Sequence, residues 1–137
     1  MRYLISAIFA TSVFLAASGL RAQENVDCGY PLNNNERTYC AEKALKDANA
    51  TMEAAYETLK AKVVAMDDVL PEHLKGSPAA LEEAQAAWLT FREKDCRAYS
   101  FPFKAGTRGN DLYRNCMIVM TMHRADDLTA TLEDYGN

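Results

Sequence analysis

Gln85, Trp88, Arg92 and Cys96 recur at intervals of three, four and four, and Asp95 stands three residues after Arg92. On a helix these residues lie on or beside one face. With Trp88 and Cys96 turned inward, the Arg92 guanidinium is partly buried, and a buried charge without a partner is very unfavourable. Asp95 can supply that partner from the same helix, and Glu53, Asp126 or Asp127 from elsewhere in the chain. Arg124, four residues before Leu128, makes the same demand. Catalytic patterns are missing: the sequence holds no G-x-S-x-G, no H-E-x-x-H and no phosphate loop. The neighbouring carboxylates Asp67-Asp68 and Asp126-Asp127 would point about 100° apart on a helix, which is poor geometry for an acid/base pair. His123 sits beside Arg124 on a helical stretch, as a surface or packing histidine does. The four cysteines contain no C-x-x-C pair and the two histidines, His73 and His123, are far apart, so metal-ligand spacing is absent. These residues therefore point to a binding protein with no cofactor and no metal, not to an enzyme.

The elements that must position them are helical. An irregular arm, "QENVDCGYPLNNNERTY", precedes a run free of Gly and Pro from Glu36 to Met66, with Asn35 as its expected cap. Leu45, Ala48, Met52, Tyr56, Leu59 and Val63 give this run one apolar stripe. "DDVLPEHLKGSP" breaks it, and Ser77 before Pro78 reads as the cap of a second helix that carries Leu81, Ala84, Trp88 and Phe91 to about Cys96. "YSFPFKAGTRGND" reads as a loop. Asn110 or Asp111 then caps a third helix with Ile118, Met122, Ala125, Leu128 and Leu132 as its stripe. No strand-like alternation or repeat is present, so the expected fold is all-α: a three-helix antiparallel bundle.

Residues 1–22 have the layout of a secretory signal peptide: Arg2, a long apolar small-residue run, and a Leu20-Arg21-Ala22 cleavage site. A retained membrane anchor is the less favoured alternative, and no lipobox precedes Cys28. Residues 23–137 then form a single domain in the periplasm or outside the cell. Cleavage removes two arginines and no acid, so the formal charge of −4 becomes −6. Such a surface repels nucleic acid and anionic lipid and favours cationic partners. Four cysteines in a small exported chain imply two disulfides. Up-down-up packing brings Cys40, Cys96 and Cys116 to one end, with Cys28 on the arm nearby. Geometry permits all three pairings, and the local ones, Cys28–Cys40 and Cys96–Cys116, are favoured.

"AQAAWLTFREKDC", residues 84–96, resembles the A-Q-x-x-W-x-x-[YF]-R-x-x-x-C signature of the LprI-like lysozyme-inhibitor family. Cys40 opens the first helix, and Asn49-x-x-Met52-Glu53-x-x-Tyr56 falls where that family shows D-x-x-L-N-x-x-Y. Asn49, Met52 and Glu53 are departures from its pattern. Cys116 and Arg124-x-x-x-Leu128 match further on, so the resemblance runs over about residues 28–132. It implies an exported inhibitor whose partner is lysozyme or another cationic cell-wall hydrolase. It does not single out inhibitory residues, because Tyr56, Gln85, Trp88, Arg92, Asp95 and Arg124 read as structural. The 85–96 face is accordingly expected to act as a polar girder, with Arg92 and Asp95 in one network; a partner reached by Arg92 or Trp88 is the alternative. Gly106, Thr107, Arg108, Gly109 and Asn110, between Cys96 and Cys116, form the candidate partner-binding loop. The acidic runs "AMDDVLPEHL" and "RADDL" are alternative docking surfaces. An envelope-stress factor, an immunity partner of another hydrolase, or a general envelope component would share the same composition.

Overall fold

The computed structural model describes residues 26–136; the expected export signal lies outside them. Three helices make up the bundle: α1 (Asn34–Asp68), α2 (Ser77–Ser100) and α3 (Thr107–Asp134). Single 3-10 turns, Glu72–Leu74 and Phe101–Phe103, join them. No strand occurs among the described residues, and no helix among them is long and apolar enough to cross a membrane. The all-α, three-helix expectation is met.

Helix α1 is capped by Asn33 rather than by Asn35. The Asn33 side chain accepts from the Glu36 backbone N–H at 3.0 Å, while Glu36 reaches back to the Leu32 N–H at 2.6 Å. Two otherwise unpaired donors are thereby satisfied reciprocally, which is why the earlier asparagine wins. At the far end of α1 the expected cap of α2 is also displaced. Ser77 is the first helical residue, and Gly76 takes the cap position at φ 139°, a conformation open to glycine. The acceptor is Asp67, nine residues upstream, which takes the N–H groups of Gly76 and Ser77 at 3.0 Å each. A carboxylate ending one helix thus caps the next.

The core belongs chiefly to α1 and α3. Met52, Tyr56, Leu59 and Val63 pack on Ala125 and Leu128, and α2 adds only the half-buried Leu81 and Trp88. The expected stripe of α2 is rotated: Ala84 and Phe91 face solvent, whereas Gln85 and Cys96 are buried. On α3, Met122 is exposed and Thr121 is fully buried instead. Polar contacts and a disulfide set these rotations.

Both disulfides have the local pairing, Cys28–Cys40 and Cys96–Cys116. The first ties the arm to α1 and the second closes the α2–α3 connection. Met120 Sδ lies 3.5 Å from Cys96 Sγ and 3.9 Å from Cys116 Sγ. A disulfide sulfur carries no proton, so this is sulfur packing rather than hydrogen bonding.

Candidate functional site

The face carried by α2 meets both neighbouring helices in one polar layer. Arg92 Nη1 donates to Asn49 Oδ1 on α1 at 2.9 Å and to Thr121 Oγ1 on α3 at 2.6 Å. Thr121 passes its own proton to the Met117 carbonyl at 2.6 Å. One turn away, Arg124 Nε donates to Gln85 Oε1 at 3.0 Å, and Gln85 Nε2 approaches Met52 Sδ at 3.6 Å. Both guanidiniums lie over the Trp88 ring, their Cζ atoms 5.1 Å (Arg92) and 5.7 Å (Arg124) from its centre. Such cation–π contacts strengthen as the cation loses water.

The expected carboxylate partner of Arg92 is not there. Asp95 is exposed, and among the described residues neither Arg92 nor Arg124 forms an ion pair. Asp95 lies along the α2–α3 groove, one face away from the guanidinium. Neutral oxygens and an aromatic ring hold the Arg92 charge instead, and its buried Nε has no acceptor. Burial pushes the Arg92 guanidinium below its ordinary value, with Tyr113 and Glu93 acting in the opposite sense. Tyr56 sits in the core beneath this layer. Asn49 and Thr121 were missed as members of it. The one signal for Asn49 was its position in the Asn49-x-x-Met52-Glu53-x-x-Tyr56 pattern; Thr121 lies inside an apolar run that hides its hydroxyl.

The segment expected as a loop is largely helix. Gly106 occupies the N-cap position, and Thr107, Arg108, Gly109 and Asn110 form the first turn of α3. Gly109 is buried where a Cβ would stand 2.6 Å from the Phe103 carbonyl oxygen, so the 3-10 turn packs directly on the α3 backbone. Arg108 stacks on Phe103 at 4.3 Å and Lys104 on Phe101 at 4.0 Å. Thr107 and Asn110 border a small polar recess shared with Asn34 and Arg37 of α1.

The two acidic runs fall in the opposite half of the bundle, "RADDL" beside its middle and "AMDDVLPEHL" at its end. Segments 52–88 and 122–136 hold eleven Asp and Glu against four Lys and Arg; segments 26–51 and 89–121 hold seven against nine. The Asn49–Arg92–Thr121 layer divides the two halves. Asp67 is the buried exception in the acidic half. Burial would raise its carboxyl, but the Ser77 and Gly76 N–H groups, the Ser77 hydroxyl and Lys75 together hold it below the ordinary 3.8. Between the helices at this end lies a cleft of about 450 Å³, lined by Leu59, Val63, Met66, Leu81, Thr131 and Tyr135. Among the described residues, no His, Cys, Asp and Glu side chains are grouped to hold a metal ion.

The family model for the lysozyme inhibitor LprI matches residues 28–128. The chain belongs to the LprI family. Its matched span takes in both disulfides, the Trp88 layer and the first half of the acidic α3 segment. An uncharacterised protein of Rhizobium meliloti (strain 1021) is 25% identical over 118 residues, covering 84% of this chain and 85% of that one. No solved structure matches this chain. Members of an LprI-type fold with two disulfides suit an oxidising compartment outside the cytoplasm.

Proposed function

We propose that the protein is exported through its N-terminal 22 residues to the periplasm or cell exterior, where it inhibits a lysozyme or another cationic cell-wall hydrolase by direct contact. It performs no chemistry of its own. The observation that carries this reading is the LprI match across residues 28–128. The acidic composition and the two disulfides are consistent with it. The 85–96 face serves as the girder, because Arg92, Gln85 and Trp88 make their contacts within the bundle. The contact with the hydrolase then falls to one of two ends: residues 104–111, or the acidic end.

The test is a lysis assay in which oxidised mature protein is titrated into several lysozyme classes acting on bacterial cell walls, with reduced protein as control. Stoichiometric inhibition of one class is the expected result. No inhibition across the panel would exclude the lysozyme reading.

A further inference from the structure

We propose that the acidic end of the bundle, centred on the cleft between Leu59, Val63, Leu81 and Tyr135, is the surface that docks the cationic hydrolase. This rests on the inhibitor reading above. The cleft is apolar at its floor, where Leu59 and Val63 belong to the core, and it opens where α3 stops short of the end of α1. Around that end the chain leaves large apolar side chains in solvent: Val69 at 82% exposure, with Leu74, Met66, Leu70 and Tyr135 also exposed. Exposed apolar groups gathered about a recess and rimmed by charge are the make-up of a protein–protein contact.

The rim charge selects the occupant. Thr131, which lines the cleft, has Asp127 one turn before it and Asp134 three residues after it on the same helix face. Both carboxylates are exposed, and neither forms an ion pair among the described residues. Glu83 on α2 and Asp68 at the end of α1 are likewise exposed and unpaired. A cationic protein is steered to this end and away from the other, where Lys104 and Arg108 stack on Phe101 and Phe103 and basic residues outnumber acids. The α2–α3 groove beside Tyr99, Leu112 and Val119 is larger, about 700 Å³, but it lies in that cation-rich half.

Hydrogen exchange on the oxidised chain, alone and with a cationic c-type lysozyme, tests the surface, with the affinity of charge variants measured alongside. Protection is expected in residues 66–83 and 127–135. Asp127→Lys with Asp134→Lys is expected to weaken binding about tenfold, mostly through the association rate, while Lys104→Glu with Arg108→Glu leaves it unchanged or tighter. Protection confined to residues 104–111, or loss of affinity only in the Lys104/Arg108 variant, would overturn this surface and leave the inhibitor reading intact. Absence of binding by the unaltered protein to every lysozyme class of the lysis panel would overturn both. Should the Asp127/Asp134 variant not fold, the exchange footprint of the unaltered protein decides alone.

Discussion

Arg92 is a cation held by two neutral oxygens and a tryptophan face, in a position where its own family pattern places an aspartate on α1. Asn49 stands there instead, with its Oδ1 2.9 Å from the guanidinium. Restoring the charge should therefore stabilise the fold: Asn49→Asp is expected to add about 1–2 kcal/mol at neutral pH, because a charge-assisted hydrogen bond is roughly twice as strong as a neutral one. The new carboxyl would be lowered by Arg92, so the gain is complete above the ordinary carboxylate range and is lost as pH falls through the lowered value. Arg92→Ala acts in the other direction, removing two hydrogen bonds and the stacking on Trp88. A loss of about 2–3 kcal/mol is expected. Urea unfolding of both variants at pH 7 and pH 3 measures the pair of effects; equal stability of Asn49→Asp and the unaltered chain at pH 7 would rule out an uncompensated Arg92. At this scale the sequence revealed only half of the layer. Gln85, Trp88, Arg92 and Arg124 stood out because large polar or aromatic residues at helical spacing are conspicuous. The acceptors did not, because an asparagine or threonine becomes an acceptor only through tertiary neighbours that no local pattern encodes.

Among the elements, α2 is the one most dependent on polar and covalent ties, since its buried residues are Gln85, Cys96 and Ser100 while the apolar core is shared by α1 and α3. Its N-terminus is held by Asp67. The lowered carboxyl there contributes stability that is present above the ordinary value of 3.8 and lost as pH falls through its folded-state value. Asp67→Asn should flatten the acid limb of the stability–pH curve below about pH 4, read by thermal melts between pH 2 and pH 6. Identical curves would mean that Asp67 does not cap α2 in solution. Lys60 on α1 adds a bridge to Glu82 at 2.7 Å, an exposed contact of small weight. The C-terminal half of α2 depends on Cys96–Cys116, which closes 20 residues. Replacing both cysteines by serine should lower stability by about 3 kcal/mol, and hydrogen exchange should show residues 93–106 loosening before α1. The order of the helices could be read from Pro, Gly and apolar spacing. Their rotation could not: Phe91 and Met122 fit the stripes by type, yet Arg92 and Thr121 turn inward because the polar layer and the disulfide fix the angle. The helical start at Thr107 was hidden for a related reason, since Gly106 and Gly109 look like loop residues although Gly109 is there to admit the Phe103 carbonyl.

For the molecule as a whole, the separation of charge along the bundle axis has a kinetic signature. Association with a cationic hydrolase should slow as salt rises, with the dissociation rate changing far less, because steering acts over a Debye length of about 8 Å at physiological ionic strength. Stopped-flow or surface-based kinetics across a salt series measures this; a salt-independent association rate would remove charge as the steering force. The overall negative charge could be counted from the sequence, but its segregation depends on α1 and α3 running parallel, which places "RADDL" and "AMDDVLPEHL" in the same half of the bundle.

The positions of the two disulfides bear on how the chain is joined together. Cys28–Cys40 closes entirely within the arm and α1, and Cys96–Cys116 entirely within α2 and α3. Neither spans the connection at residues 69–76, whose backbone is the one covalent link among the described residues between α1 and the remainder. One cut there yields two pieces that separate on a denaturing gel even without reductant, each retaining its own crosslink. The protein is in this sense two separately stapled parts, and residues 69–76 mark where it can be divided into a fragment pair whose reassembly reports on the α1–α3 interface.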